Sequence, residues 1–194
     1  MTTHNDRIQI DKEEVLSDNW YILRKYTYQY RRHDGTQQQQ VREVYDRGNG
    51  ATILLYNREQ QTVILIRQFR LPTFLNDYHG MLIETCAGLL DEDGPETCIR
   101  RETEEETGFK VSNVRKVFDV FMSPGAVTER IHFFVGEYEP NERHHQGGGL
   151  AEEGEEIEVL ELKLDDALAM IDQGEIVDAK TIMLLQHVKL KGVM

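Results

Sequence analysis

Three carboxylates crowd one short stretch of the chain: Glu102, Glu105 and Glu106, within Arg101-Glu-Thr-Glu-Glu-Glu-Thr-Gly-Phe109. On a helix turning about 100° per residue they fall inside an arc of roughly 100°. Cys98 and Ile99, the apolar positions of the same segment, project onto that sector. A solvated face would set the glutamates opposite the apolar stripe; here the two coincide. Carboxylates turned toward a core repel one another and lose hydration, at several kcal/mol for each desolvated charge. A bound divalent cation removes the conflict. Mg2+ takes carboxylate oxygens together with waters and substrate phosphates, which suits this set better than a closed cage would. Mn2+ takes the same oxygen ligands. Arg101, four before Glu105, is placed to orient a carboxylate.

The whole chain carries a formal net charge of −13 over 194 residues. Residues 91–106 hold a net −6 and residues 152–158 (Glu-Glu-Gly-Glu-Glu-Ile-Glu) a net −5, so two foci account for −11 of it. So strong a negative balance argues against nucleic acid or an anionic membrane as the main partner. With 39% hydrophobic residues the chain can bury a core. Two cysteines build no disulfide framework, no N-terminal apolar run resembles a signal peptide, and no stretch approaches the ~20 apolar residues of a membrane span. These features predict a soluble cytoplasmic protein.

The elements that must position the glutamates can be read along the chain. Asp34-Gly35 is a hairpin turn signal between two β-like segments, Tyr21–Arg31 and Val41–Tyr45, with Gln37 to Gln40 between turn and second strand. Residues 1–47 therefore read as an antiparallel β-hairpin arm and 48–194 as the main domain, divided at Arg47-Gly48-Asn49-Gly50. Strands are predicted at Ala51–Tyr56, Thr62–Phe69, Met81–Cys86, Val114–Met122, Ile131–Tyr138 and Ile157–Leu162. A helix is predicted over Pro95–Thr107, with Asp93 or Gly94 as its cap and Gly108 at its end. Closing helices follow at Asp165–Gln173 and Ala179–Leu190. Strands and helices mix without a regular βαβ period, giving an α+β fold with a mixed sheet.

Gly88 followed by Arg101-Glu102-Thr103-Glu104-Glu105-Glu106-Thr107-Gly108-Phe109 resembles the Nudix box of the Nudix hydrolases. Two positions depart from the family pattern. The stretch from Gly88 to Arg101 is one residue short, which leaves Asp93 roughly where a glutamate belongs, and Thr103 replaces an apolar residue. The resemblance implies the Nudix fold, a mixed β-sheet sandwiched between helices, and hydrolysis of a nucleoside diphosphate linked to another moiety. It implies that Glu102, Glu105 and Glu106 hold the metals with the backbone carbonyl of Ala87, Glu105 also counting among the catalytic groups. Gly88 and Leu89 would lie against substrate.

Pro124, sixteen residues after Gly108, resembles the marker of the ADP-ribose and nucleotide-sugar branch. Glu43-Val-Tyr-Asp-Arg-Gly-Asn-Gly50, Ile66-Arg-Gln-Phe-Arg70, Cys86-Ala-Gly-Leu-Leu90 and Met122-Ser-Pro-Gly125 together resemble the GDP-mannose pyrophosphatase (NudK-type) group. That resemblance implies cleavage of GDP-mannose to GMP and mannose 1-phosphate, with ADP-ribose as the alternative substrate. The second acidic focus then corresponds to a loop that supplies a metal ligand, Glu155, and the base that activates water, Glu153, with Glu152 as fallback. The long loop from Pro140 to Gly149 has the composition of a lid. Arg67 and Arg70, three apart at a strand end, are the expected phosphate or sugar contacts, joined by Glu129 and Lys180. In the resembled group the arm crosses to a partner subunit, which implies a homodimer in which Trp20, Arg42 and Glu43 enter the neighbour's site.

Other signals carry less. His144-His145 lacks the spacing and thiol partners of a zinc site. Cys86 and Cys98 are twelve apart and read as small buried hydrophobes. Ser123 has no His/Asp partner pattern, and Gly147–Gly149 lacks the lysine of a Walker loop. A non-catalytic Nudix ligand sensor is the lesser alternative; it predicts a degraded box and usually an attached DNA-binding domain, whereas this sequence keeps the Arg-Glu/Glu-Glu core of the box. An acidic interaction protein without ligand leaves the inward glutamates unexplained.

Overall fold

The computed structural model describes residues 5–90, 92 and 94–194, with Glu153 described by its backbone alone. Asp93 lies outside the described residues. Packing divides the chain into two compact units, the residues up to Asn49 with Phe121–Arg130, and Gly50–Val120 with Ile131–Met194.

The first unit is a three-stranded antiparallel sheet in the order β1 (Ile8–Asp18), β2 (Ile22–Arg31), β3 (Gln37–Asp46). The turn at Asp34-Gly35 falls where expected, with Gly35 at a left-handed φ of 85°. The glutamine run is strand rather than turn: Gln37 to Gln40 pair with Tyr28 to Arg31, and the Tyr28 hydroxyl donates to Gln40 Oε1 at 2.7 Å. β1 is a strand the sequence pattern does not announce. Most of it is exposed, and it is held by the ladder to β2 and by charge pairs across it, Arg24 to Glu13 at 3.0 Å and Lys25 to Glu14 at 3.5 Å. The segment Phe121–Arg130 joins this unit through Tyr45, whose amide donates to the Ala126 carbonyl at 2.7 Å.

The second unit is built on a mixed seven-stranded sheet. β4 (Gly50–Asn57) runs parallel to β9 (Arg130–Glu137) and antiparallel to β5 (Thr62–Phe69), which also pairs antiparallel with β10 (Glu158–Lys163). β8 (Ser112–Phe121) closes the far edge beside β9. The expected strand Met81–Cys86 is two strands: β6 (Met81–Glu84) pairs with β5, and β7 (Cys86–Leu89) crosses to β4. The switch falls at Thr85, whose amide leaves the ladder and donates to Thr181 Oγ1 at 2.7 Å.

Three helices pack on this sheet among the described residues, α2 (Pro95–Thr107), α3 (Leu164–Asp172) and α4 (Ala179–Lys191), while α1 (Leu71–Phe74) is a short turn with no buried residue. Successive strand residues face opposite sides. Ala51, Ile53 and Leu55 of β4 pack with Ile99 of α2, Phe109 and Tyr138 in one apolar cluster. Thr52, Leu54 and Tyr56 point the other way and are equally buried, and Thr52 Oγ1 meets Thr85 Oγ1 at 2.8 Å on the side where α4 packs. Both faces of β4 are therefore closed, which explains its unbroken apolar run.

The segment expected to be a lid is fastened along most of its length. Lys110 N–H donates to the Glu142 carbonyl at 3.2 Å and His144 N–H to the Gly108 carbonyl at 2.8 Å. Gly148 and Gly149 then donate to the carbonyls of Glu106 and Glu105, at 2.9 and 3.3 Å. These are the orphan acceptors that every helix leaves at its C-terminal end. Gly147 has φ +71° and its missing Cβ would lie 2.4 Å from the Glu106 carbonyl oxygen, so glycine is required for the approach. Gly147→Ala is expected to lower stability by about 2 kcal/mol or more, read as a lower denaturant midpoint at unchanged slope. An unchanged midpoint would show that this docking does not hold the helix end.

Candidate active site

The stage for the site is α2. Gly94 is its N-cap, Pro95 opens it, and Gly108 closes it in the left-handed region at φ 78°. Thr103, the departure from the family pattern, is fully buried, and its hydroxyl donates to the Ile99 carbonyl one turn back at 2.6 Å. The hydroxyl is thus satisfied inside the helix and leaves the apolar packing of its face intact.

Glu106 lies one turn below Glu102 and is 1% exposed. Its Oε2 accepts the Ala87 amide at 3.2 Å. Burial pushes its carboxyl up to about 8, with the charges of Glu155 and Glu102 adding to the effect, while the Cys86 thiol and the Ala87 amide act against it. Glu102 is pressed against the start of the box: a Cβ at Gly88 would stand 2.2 Å from the Glu102 carboxyl carbon. The Arg101 guanidinium spans Glu102 and Glu105, at 3.1 Å from an oxygen of each.

The second acidic focus arrives through the glycine docking described above. Glu155 folds back on its own loop, with Oε2 accepting the Leu150 amide at 3.0 Å in space that a Cβ at Gly149 would occupy. Two stretches some fifty residues apart in sequence thereby bring the charges of Glu102 and Glu155 to bear on Glu106. Among the described residues no three such side chains have closed to a metal-ligand shell. The donor set is oxygen throughout, one carboxyl is desolvated and two others bear on it, so the residues fit a divalent cation better than they fit its absence.

A second group of charges, which the sequence did not announce, lies at the end of β6. Glu84 is buried and binds Arg70 Nε through Oε2 at 2.7 Å and Lys180 Nζ through Oε1 at 3.2 Å. Asp178, the N-cap of α4, takes Lys180 at 2.7 Å on its other oxygen. Glu84 has no local signal, since Lys180 lies 96 residues away, and Asp178 reads locally as an ordinary helix cap. Arg67 does not join Arg70: it pairs with Glu158 of β10 at 2.7 Å, directly opposite in register.

The remaining expected site residues are placed as follows. Leu89 is exposed, and its carbonyl accepts the buried Cys98 thiol at 3.2 Å. Trp20, Arg42, Glu43 and Glu129 belong to the first unit. There Trp20 is 82% exposed and edge-on to Tyr21, Arg42 donates to the Val41 carbonyl, Glu43 stands opposite Lys25, and Glu129 meets Arg47 at 3.5 Å. His144 and His145 serve the loop through backbone contacts with Gly108 and Arg143. Cys86 and Cys98 are buried and form no disulfide among the described residues.

Comparison with known proteins bears directly on this arrangement. Residues 7–45 match the GDP-mannose pyrophosphatase NudK N-terminal domain, and residues 46–185 match the NUDIX domain. A Citrobacter koseri protein named GDP-mannose pyrophosphatase is 59% identical over 184 residues, covering 94% of this chain and 95% of its own. Proteins of the same name from Pectobacterium atrosepticum and Klebsiella pneumoniae are 57% and 56% identical, over 95% and 96% of this chain and 95% and 94% of theirs. A crystal structure of an ADP compounds hydrolase superposes over the full length of both chains with a TM-score of 0.74 at 16% identity, which shows a shared fold. The helix of glutamates, the glycine it closes on and the match over residues 46–185 agree: the chain belongs to the NUDIX family, with a NudK-type segment at its N-terminus.

Proposed function

We propose that the chain hydrolyses the pyrophosphate bond of a nucleoside diphosphate sugar, with GDP-mannose as preferred substrate and GMP and mannose 1-phosphate as products. The observation that carries this reading is the carboxylate face of α2, with Glu106 buried on the Ala87 amide and Glu102 closed against Gly88, in a chain whose relatives named GDP-mannose pyrophosphatase match it over nearly its full length. Nudix pyrophosphatases work with a divalent metal, and Mg2+ is the proposed ion, held by Glu102, Glu106, Glu155 and the Ala87 carbonyl. When bound, it supplies positive charge that neutralises phosphate oxygens and makes water more acidic. The chain's own groups do the rest. Glu153, whose side chain lies outside the described residues, takes the water's proton, a step that typically contributes ~10²–10⁴-fold. The oxygen of that water bonds to phosphorus as the P–O–P bridge breaks, and the sugar phosphate leaves. Arg101 keeps Glu102 and Glu105 oriented, and Arg70 and Lys180 face the substrate's anionic oxygens.

We also infer a homodimer in which the arm brings Trp20, Arg42 and Glu43 to the partner. Its support is the apolar surface of the first unit, where Ile8, Ile10, Val15, Leu16, Trp20 and Val41 are all exposed. No helix among the described residues is long and apolar enough to cross a membrane. The free thiols suit a reducing compartment, and we place the enzyme in the cytoplasm without nucleic-acid partners.

Three outcomes test this function. In a panel of nucleotide sugars with Mg2+, GDP-mannose is expected to give GMP and mannose 1-phosphate fastest; faster cleavage of ADP-ribose would make that the substrate. Glu106→Gln should lower kcat by at least about 100-fold, and wild-type turnover in that variant would remove Glu106 from the site. Sedimentation at micromolar concentration is expected to show a dimer, and a monomer would contradict the role of the arm.

The raised Glu106 carboxyl also makes stability depend on pH in a definite direction. Without metal the folded protein keeps this proton up to about pH 8, whereas the unfolded chain releases it near 4.5. Between those values the unfolded state binds fewer protons, so stability falls as pH rises. In chelator, Tm is expected to drop between about pH 5 and pH 8, and Glu106→Gln to flatten that slope. Added Mg2+ should raise Tm at the alkaline end. A slope unchanged in the variant would place its source elsewhere.

A further inference from the structure

Among the described residues Glu84 is the one carboxylate that touches both Arg70 and Lys180, and its side chain is only 4% exposed. Burying a charge is costly, and a buried ion pair is often no more stabilising than well-packed apolar residues in its place. β6 is otherwise apolar, Met81-Leu82-Ile83, so stability alone gives no reason for an acid there. Lys180 is equally anomalous. It stands at the second position of α4, where the positive end of the helix disfavours a cation, and two carboxylates are needed to keep it. A network that costs this much to bury is explained by what it presents.

What it presents is two cations on a rigid frame. The Thr85 amide donates to Thr181 Oγ1, and that hydroxyl donates to Asp178 Oδ2 at 2.8 Å, fixing the start of α4 to the residue beside Glu84. Glu84 grips Arg70 by Nε alone, and the two terminal guanidinium nitrogens have no hydrogen-bond partner among the described residues. That free fork matches the geometry of phosphate oxygens. Lys180 spends its donors on Glu84 and Asp178 and has a third remaining. Arg70 feels the charge of Glu106, so the cluster adjoins the carboxylate site.

We propose that Glu84 is a positioning residue that holds the Arg70 guanidinium and the Lys180 ammonium at a fixed separation for the anionic diphosphate of the substrate. This rests on the reading above that Arg70 and Lys180 contact substrate. Glu84 acts through them and touches no reacting atom. Its loss therefore weakens substrate binding and leaves metal binding alone.

The test compares Glu84→Gln in two backgrounds with GDP-mannose as substrate. In the wild-type background it should raise KM at least about tenfold with kcat within about threefold, and Mn2+ affinity without substrate, read by electron paramagnetic resonance, should stay within about twofold. In an Arg70→Ala/Lys180→Ala background the same change should raise KM by less than about twofold further, because the groups it positions are gone. An equal rise in both backgrounds, or a parallel loss of kcat and Mn2+ affinity, would overturn the positioning role. If Arg70→Ala and Lys180→Ala raise KM but Glu84→Gln does not, the proposal fails while the substrate contacts stand. If neither single variant raises KM, the contacts themselves are refuted and the proposal with them. Should Glu84→Gln not fold, Glu84→Asp carries the comparison, since it keeps the charge but is too short to span both cations.

Discussion

The burial of the Glu106 carboxyl, with the charges of Glu155 and Glu102 adding to its cost, is the constraint on which the rest of this structure turns. A carboxyl buried to 1% exposure beside two others is held at a high proton affinity, and metal-free folding must leave it neutral or pay for its charge. The fold nevertheless enforces the arrangement from three sides. The apolar packing of Ile99 fixes which face of α2 turns inward, Gly88 allows Glu102 to close against β7, and the docked glycines bring Glu155 to the end of the same helix. Each device is local and unremarkable by itself. Together they concentrate negative charge where a divalent cation can relieve it.

The same economy of backbone appears beside the site. Residues 84 to 88 run as one short stretch in which Glu84 holds two cations, Thr85 ties the strand to α4, Ala87 donates to Glu106 and Gly88 makes room for Glu102. A strand that changes partner between Glu84 and Cys86 therefore sets the positions of cationic and anionic groups at once. Arg70 and Lys180 are paired with Glu84, and Arg70 feels the charge of Glu106 without a hydrogen bond to it.

Much of this was legible locally and some of it could not be. The bounds of α2 follow from Pro95 and Gly108, since capping is a property of adjacent residues, and the inward turn of its glutamates follows from their phase against Cys98 and Ile99. β1 was invisible because its stability comes from cross-strand partners such as Arg24 and Lys25 and not from an apolar face. The break at Thr85 depends on a hydroxyl 96 residues further on. Arg67 and Arg70 look like one pair in sequence, yet Arg67 is bound to β10 and Arg70 to β6. Glu84 and Asp178 gave no signal because a lone acid at a strand or helix end has an ordinary local explanation. The glycines suggested motion by composition, but their positive φ angles serve close docking to carbonyls.

Under the proposed function, a cation binding at Glu106 must displace the proton that burial keeps on its carboxyl. Isothermal titration of Mg2+ into metal-free protein at neutral pH, repeated in buffers of different ionisation enthalpy, measures that exchange directly. Binding is expected to release about one proton per protein, because the ligand must be deprotonated to coordinate. The release should shrink toward zero as the pH is raised above about 8, where the carboxyl is already ionised. Heats that do not depend on the buffer at neutral pH would contradict the account.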